Sequence, residues 1–416
     1  MNFASPLIPV VLGLIACKGL AQLGLSRLNQ RHVQAHAATV PAAFAHVVSP
    51  ETYGQSVTYT LAKSRLNQWE LTYDALVLVV VLLSGVLPWA YGQVIHALGQ
   101  SAWAQALFLF LVGVGLTLLS LPFDWHAQFH LEERFGFNTN TPRTWLLDRL
   151  KGLLLALIIG YPVLVLLLKI IEWTGRAWWA WGWAALLAVQ LILAVLAPVL
   201  ILPLFNKFTP LPEGSLRDRL QALARRTGFL ARSIQVMDGS KRSRHSNAFF
   251  TGFGRFRKIV LFDTLVQQLA EPELEAVLAH EIGHYQRKHI HKMLAGSAAL
   301  SLVGFYLLSL LARQPWFLAP FGFAPGEMAP ALLLFVLLSG TVGFWLSPLG
   351  NYWSRRFEYQ ADAFSAHAMG EPAPLIGALR KLNAKNLSNL TPHPLYSGFY
   401  YSHPTLLERE AALQRC

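Results

Sequence analysis

The segment His280-Glu281-Ile282-Gly283-His284 has the residue types and spacing of a catalytic metal site. Two histidines four positions apart on a helix project from one face about one turn apart, so both imidazoles can reach one zinc ion. Glu281 lies beside them and can take a proton from the attacking water and pass it to the leaving amine. The pattern predicts metal-assisted hydrolysis of peptide bonds. A hydrogen-bonded histidine pair on a polar helix is the alternative interpretation.

A catalytic zinc site also requires a third protein ligand. The candidate is Glu358, and Asp362 follows it four positions later on the same helix face. We predict that Glu358 binds the metal and that Asp362 accepts a hydrogen bond from a ligand histidine, which would fix the histidine tautomer. The alternative is a solvated acidic face paired with Arg355 and Arg356.

The elements that position these residues can also be predicted. Glu271-Pro272-Glu273 is typical of the first turn of a helix, and we expect this motif helix to run without a break into the next apolar segment. His289 and His291 fall off the face of the motif histidines, so we interpret them as residues at the membrane boundary and not as ligands. Upstream, the pattern predicts a helix over 216–227 and strands over 233–237 and 258–262.

The composition is that of a multi-pass membrane protein. Of 416 residues, 54% are hydrophobic and 13% are charged, whereas soluble domains carry about 25% charged residues. Seven apolar segments are long enough, or nearly so, to cross a bilayer: 5–25, 75–97, 103–122, 152–171, 178–203, 293–312 and 331–350. The first contains Lys18 and could instead be a cleaved signal, but residues 1–9 contain no Lys or Arg, which favours a retained span.

These observations predict the fold class and the domains. We expect an all-α polytopic membrane protein with about seven transmembrane helices and a small cytoplasmic, zincin-like α+β catalytic domain. Residues 1–203 would form an N-terminal membrane domain with five helices. Residues 204–416 would form the metallopeptidase domain, with two further helices and a cytoplasmic tail.

The basic residues predict the orientation. Of 34 Lys and Arg residues, 30 fall in alternate loops, and the opposite loops hold only Lys169, Arg176 and Arg313. The positive-inside rule then places the N-terminus outside and the catalytic side in the cytoplasm, in the inner membrane of a bacterium or the endoplasmic reticulum of a eukaryote. The net charge of +12 is explained in the same way, and we expect no nucleic-acid partner. Cys17 and Cys416 support neither a disulfide framework nor a thiolate metal site.

Seven segments together match a known pattern: 132–138, 205–211, 238–243, 245–250, 280–284, 358–362 and 402–409. Through them the sequence resembles the integral-membrane zinc endopeptidases of the CAAX prenyl protease 1 family. The resemblance implies seven helices around a large water-filled chamber, with one Zn²⁺ per chain facing into it. It also implies removal of the last three residues of prenylated CAAX proteins, with the lipid bilayer as surroundings and a monomeric state.

The resemblance also implies roles for residues outside the zinc motif. Asn247 would hold the substrate backbone, and His403 would donate a hydrogen bond to the oxyanion that forms during hydrolysis. Without the resemblance, the preferred interpretations are a turn residue for Asn247 and a cap before Pro404 for His403. Arg409 would either pair with a carboxylate such as Asp362 or contact the substrate C-terminus. The strand over 258–262 is compatible with an edge strand that pairs with the peptide and with an ordinary core strand.

Three other classes of protein share part of the pattern. A sister subfamily of membrane zinc peptidases acts in heat-shock quality control, and such a broader activity on unprenylated substrates remains the alternative function. Those proteins typically have about four spans and lack the 402–409 segment. A non-catalytic platform would be expected to have lost Glu281 or a ligand. A transporter would be expected to carry charges within several spans.

Overall fold

Long apolar helices form most of the chain. The computed structural model describes residues 5–45, 48–229, 233–251 and 258–416. Within these ranges, six helical stretches are long and apolar enough to cross a membrane: Leu7–Ala35, Pro50–Leu83, Ala102–Glu132, Pro142–Phe205, His289–Leu311 and Met328–Met369. Large apolar side chains such as Ile158 and Val199 remain more than half exposed on them, as expected for surfaces that face lipid.

The helices are numbered here in chain order. Two of the long stretches continue through π-helical turns, Ala102–Glu132 at Ala127–Glu132 and Pro142–Phe205 at Ala156–Gly160 and Ala197–Ile201. The α-helices are α1 Leu7–Ala35, α2 Pro50–Leu83, α3 Val86–Leu98, α4 Ala102–His126, α5 Pro142–Leu155, α6 Tyr161–Thr174, α7 Trp178–Leu196, α8 Leu202–Phe205, α9 Ser215–Arg226, α10 Asp263–Gln268, α11 Glu271–Gln286, α12 His289–Leu311, α13 Pro315–Leu318, α14 Met328–Met369, α15 Ala373–Lys385, α16 Pro394–Tyr400 and α17 Leu406–Leu413.

The stretch Pro142–Phe205 contains two membrane crossings. Its 64 residues would extend about 96 Å as one helix, three times the thickness of a hydrocarbon core. Gly175 takes a φ of 54°, a left-handed conformation that favours glycine, and α6 and α7 pack against each other on either side of it. This stretch therefore accounts for two of the seven predicted segments, and the predicted polytopic helical fold is confirmed.

The predicted boundaries of the second segment are wrong. A single helix over 75–97 was expected, but α2 begins at Pro50 and ends at Leu83, and Gly85, with a φ of 80°, precedes α3. The side chain of Ser49 accepts the backbone N–H of Thr52 and caps the start of α2. Most of the region 26–74, expected to be a loop, is helical as well. Its polar residues lowered the average hydrophobicity on which the prediction depended.

A four-stranded sheet forms the centre of the catalytic domain. The strands are β1 Phe208–Pro210, β2 Ser233–Met237, β3 Ala248–Thr251 and β4 Lys258–Phe262, in the order β1-β2-β4-β3. β2 and β4 are parallel, and β1 and β3 flank them antiparallel. The two strands predicted from the sequence are confirmed at the predicted residues, and the helix predicted over 216–227 is α9.

The interpretation of residues 258–262 as an edge strand is wrong. β4 lies between β2 and β3, with Ile259, Val260 and Leu261 each 1% exposed. An unbroken apolar run is typical of a strand buried on both faces, so the core-strand interpretation was correct. β3 forms the edge strand next to β4.

The motif helix and the following span are separate helices. α11 ends at Gln286, Lys288 adopts a left-handed φ of 56°, and α12 begins at His289. The N–H groups of Arg287 and Lys288 bond back to the carbonyls of Gly283 and Tyr285 and close α11. The expected continuous helix is therefore wrong, and the turn changes the direction of His289.

α14 joins the membrane part to the catalytic domain. Its 42 residues extend about 63 Å, so the helix continues well beyond the bilayer. It packs against α11 most closely at Gly283, where an added Cβ would lie 3.0 Å from the Cα of Ala361. The sheet, α9 and α11 share one apolar core that includes Leu220, Leu261 and Leu278.

Candidate metal centre

Two helices supply the three predicted ligands. α11 carries His280 and His284, and α14 carries Glu358 at their crossing. The Nε2 atom of His280 lies 3.2 Å from Nε2 of His284 and 3.5 Å from Oε2 of Glu358. Nε2 of His284 lies 3.3 Å from Oε1 of Glu358. Among the described residues, this is the group of three whose ligand atoms can all lie within 4.8 Å of one another.

The geometry of this group fits a zinc ion. Tetrahedral coordination at about 2.0–2.1 Å separates the ligand atoms by about 3.3–3.4 Å, close to the separations seen here. Oε2 of Glu358 is buried and has no hydrogen-bond partner among the described residues. A buried carboxylate oxygen without a partner is costly, and a cation at this position would satisfy it.

The carboxylates around His280 also indicate that the site favours positive charge. Burial alone would lower the pKa of His280, but the nearby carboxylates of Asp362 and Glu358 outweigh burial and raise the pKa to about 9. A cation bound between the same groups would be stabilised by the same carboxylates.

Asp362 and Arg409 form a second layer behind His280. Nδ1 of His280 lies 2.8 Å from Oδ1 of Asp362, so the N–H on Nδ1 is donated to the carboxylate and Nε2 is left for the metal. Arg409 binds the same carboxylate with two hydrogen bonds, of 2.8 Å from Nε and 2.6 Å from an Nη atom. These hydrogen bonds raise the pKa of Arg409 although its burial opposes the shift. Of the two contacts expected for Arg409, the structure shows the one with Asp362.

His289 makes a contact that the sequence analysis did not anticipate. It is 1% exposed, and its Nε2 lies 2.9 Å from Oε1 of Gln360. When that nitrogen donates, Nδ1 of His289 accepts from Nδ1 of His284, which lies 3.1 Å away. The Nε2 lone pair of His284 then faces the metal position. His289 is the first residue of α12, a candidate span, and lies outside the group of three ligands, which agrees with its interpretation as a boundary residue that is not a ligand. Its contact with His284 was not predicted. The turn at Lys288, which the sequence does not reveal, points it back toward the site.

Glu281 lies next to the ligand histidines and is not hydrogen-bonded to Asp362 or Arg409. It is partly buried on α11, and this burial raises the pKa of its carboxyl group. A carboxylate with a raised pKa is a stronger base, which suits a group that accepts a proton during catalysis.

His403 approaches the centre from the C-terminal segment. Its Nε2 lies 3.4 Å from Oε1 of Glu358, and its side chain is 63% exposed to the space in front of the site. Ser402 Oγ lies 3.0 Å from its Nδ1, and Arg355 bonds the carbonyl of Tyr401 at 2.6 Å. These contacts hold the segment against α14, with His403 beside Glu358 and open to the space in front of the three ligands.

Asn247 immediately precedes the edge strand β3. Its backbone carbonyl accepts the N–H of Phe262 at 3.1 Å, and its side-chain oxygen accepts the N–H of Ala248 at 2.8 Å. Its side chain is exposed. The structure therefore places it at the open edge of the sheet, and these bonds join it to the sheet and not to the metal cluster.

A cavity of about 850 Å³ opens in front of the centre. His403 and Arg409 form its wall near the metal ligands, and α1, α2 and the segment after α15 form the rest. A hydrogen-bonded group that the sequence analysis did not connect also lies here: the hydroxyl of Tyr59 donates to Oε1 of Glu132 at 2.6 Å, and Nε2 of His245 lies 3.2 Å from Oε2. No spacing rule joins these distant residues, so only the fold brings them together.

The chain matches two sequence families over nearly all of its length. Residues 29–207 match the family described as CAAX prenyl protease N-terminal, five membrane helices. Residues 210–416 match peptidase family M48.

Individual relatives agree with these matches. CAAX prenyl protease 1 of Saccharomyces cerevisiae is 38% identical, with 93% of this chain and 91% of the relative aligned. The human CAAX prenyl protease 1 homolog is 32% identical at the same coverage of both chains. A crystal structure of Ste24p from S. mikatae superposes with a TM-score of 0.88 at 36% identity, and covers 97% of this chain and 98% of the other.

Proposed function

The chain is a membrane metalloendopeptidase of the CAAX prenyl protease 1 group of peptidase family M48, and we propose that it removes the C-terminal tripeptide of prenylated CAAX proteins or peptides. The observation that supports this most is the three-ligand centre of His280, His284 and Glu358 beside a cavity of about 850 Å³.

His280, His284 and Glu358 would hold one zinc ion per chain. When bound, zinc polarises the scissile carbonyl and activates water as a nucleophile near neutral pH. Asp362 orients His280, and Arg409 holds Asp362 in place through its two hydrogen bonds. This second layer keeps the ligand nitrogen directed at the metal position.

Glu281 and His403 would carry the proton and charge changes. Glu281 accepts a proton from the attacking water and delivers it to the leaving amine, which its raised pKa favours. His403 lies 3.4 Å from Glu358 and faces the cavity, where it can donate a hydrogen bond to the oxygen of the tetrahedral intermediate. Such a donor contributes roughly 10²–10³-fold to turnover.

The substrate would bind as an added strand. Among the described residues, β3 pairs only with β4, so the other edge of the residues 248–251 can pair with an extended peptide. Asn247, at the start of that edge, would hold the peptide backbone. Arg409 would act by holding Asp362 in place or by contacting the peptide C-terminus. Backbone pairing selects an extended segment without selecting its side chains.

The surroundings of the enzyme follow from the same proposal. The catalytic side faces the cytoplasm and the N-terminus lies outside, since nearly all basic residues fall in alternate loops. The protein acts as a monomer within a lipid bilayer, on peptide or protein substrates and not on nucleic acid.

The test is cleavage of a farnesylated CAAX peptide by the purified protein in detergent. We expect mass spectrometry to detect a released tripeptide, and we expect the unprenylated peptide of the same sequence to be cleaved more slowly. If the farnesylated peptide stays intact while unmodified membrane proteins are degraded, the substrate assignment is wrong. The broader quality-control activity would then be the function.

A further inference from the structure

The wall of the cavity has an unbalanced charge. Its lining residues include the cations Lys63 and Arg409 and several Asn, Ser and Tyr side chains. Within the described part of the chain, neither Asp nor Glu contributes to this lining. A surface of this kind attracts an anion.

The two lining cations differ in their partners. Arg409 is held by two hydrogen bonds to Asp362 and is 11% exposed as a side chain. Lys63 is exposed, and in the described ranges no carboxylate lies within ion-pair distance of its Nζ. Its Nζ lies over the ring of Tyr59, at 5.6 Å from the ring centroid. The ammonium group is therefore available to a ligand.

Other side chains already occupy the acid nearest to Lys63. Glu132, the acid that feels the charge of Lys63, already accepts the hydroxyl of Tyr59 and pairs with His245. The ring of His245 stacks on Phe137 with centroids 4.2 Å apart. Both Tyr59 and His245 line the same cavity. Together with Glu132 they form a hydrogen-bonded platform beside the unpaired ammonium group of Lys63.

This platform is close to the proposed peptide-binding edge. His245 precedes Asn247 by two residues, which is about 7 Å of extended chain, and Asn247 begins the edge of β3. Three extended residues beyond a scissile bond span about 10 Å. The cavity that Lys63 shares with His403 has a volume of about 850 Å³, which can enclose such a segment.

We propose that the Lys63 ammonium binds the C-terminal carboxylate of the peptide and thereby sets the distance from the chain end at which cleavage occurs. The inference rests on the proposed function, because that function supplies a substrate whose carboxylate lies three residues beyond the scissile bond. An internal segment of a protein has no such anion and would not gain this contact.

The experiment measures binding in the Glu281→Gln background, in which turnover does not interfere. Two fluorescent farnesylated CAAX peptides are compared, one with a free C-terminal carboxylate and one with a C-terminal amide. An ionic hydrogen bond favours the carboxylate by about tenfold or more in Kd. We expect that preference in Glu281→Gln alone, its loss when Lys63→Gln is added, and its partial return with Lys63→Arg.

Arg65→Gln is the matched control. This substitution removes the same charge from the same helix, two positions away and on the opposite face. Arg65 does not line the cavity. We expect it to leave the preference for the carboxylate intact. Zinc content is measured for every variant, so that a damaged centre is recognised.

Three results would overturn the proposal. The carboxylate preference could survive Lys63→Gln, both peptides could lose affinity equally, or neither peptide could bind. Failure of the proposed function is recognised separately, because the chain with Glu281 intact would then not cleave the farnesylated carboxylate peptide at all. Carboxylate recognition without such cleavage would leave Lys63 as an anion subsite for another peptide class.

Discussion

Glu358 is the residue on which the metal centre depends most, since both of its oxygens face a ligand histidine at 3.3–3.5 Å. It is also the ligand that the zinc motif itself does not contain. Its assignment from the sequence depended on the spacing to Asp362 and on a shared membrane side, and the structure brings it to the two histidines.

We predict that Glu358→Ala and Glu358→Asp both lose zinc. Aspartate withdraws the carboxylate by about one methylene from a site that tolerates about 0.5 Å. The measurement is zinc per chain by atomic absorption after dialysis. Glu371→Ala, which removes an exposed carboxylate just beyond α14, should retain the metal. Normal zinc content in Glu358→Ala would show that a different residue is the third ligand.

We predict that His289→Leu weakens zinc binding about 10–100-fold, the usual effect of losing a partner of a ligand histidine. Without the contact of 3.1 Å, nothing fixes the tautomer of His284. His291→Leu, on the exposed side of α12, serves as the control in competition titrations with a chelator. Equal zinc affinities for the two variants would refute the role of His289.

At the residue scale, the sequence was sufficient for groups within one helical repeat. His280 with His284 and Glu358 with Asp362 are each four positions apart, and helix geometry alone brings such pairs together. The contact of His289 with His284 was not predicted because the direction of His289 depends on a left-handed Lys288. That backbone conformation has no clear sequence marker in a lysine.

The packing of α11 against α14 determines the distance between the two sets of ligands. Gly283 lies at the crossing, where an added Cβ would approach the Cα of Ala361 and the Cβ of Phe364 to 3.0 Å each. Because those neighbours include backbone, they cannot turn away as a flexible side chain would.

Gly283→Ala is therefore expected to destabilise the domain by about 1–3 kcal/mol, the usual cost of overpacking. It should also lower zinc affinity, since the helices that carry His284 and Glu358 move apart. Thermal unfolding in detergent and zinc content are the measurements. Gly296→Ala, in α12 with no atom within 4 Å of the added Cβ, should be neutral or slightly stabilising. Similar unfolding temperatures for the two variants would contradict this account of the crossing.

At the element scale, hydrophobic pattern predicted which segments form helices and strands, but not where they end or what they pair with. β2 and β4 were predicted at their observed residues because apolar runs bounded by charges are clear strand signals. Whether β4 lies at the edge depends on β3, a short strand with no comparable pattern. The early start of α2 was missed because the polar residues of its first half lower the average hydrophobicity.

The whole molecule combines a membrane part and a catalytic part through the continuous helix α14. The polytopic helical class was predicted because apolar length is a direct consequence of bilayer thickness. The cavity and its wall were implied only by family resemblance, since Lys63, His245 and His403 lie far apart in the chain.

The proposed orientation can be tested through Cys416, which is exposed. In a Cys17→Ser variant, Cys416 is the sole cysteine. A membrane-impermeant maleimide should leave it unlabelled in right-side-out vesicles and label it in inverted ones. Gln100→Cys, in the exposed turn before α4 and with both native cysteines replaced, should show the opposite pattern. Labelling of Cys416 in right-side-out vesicles would reverse the assigned topology.

The most direct test of the account is a paired measurement of zinc content and peptide hydrolysis for the purified protein and its Glu281→Gln variant. We predict one zinc per chain in both and a loss of turnover of roughly 10²–10⁴-fold in the variant, with hydrolysis by the unmodified protein abolished by a chelator and restored by zinc. Hydrolysis that persists in Glu281→Gln, or that continues without the metal, would contradict a catalytic centre formed by His280, His284, Glu358 and Glu281.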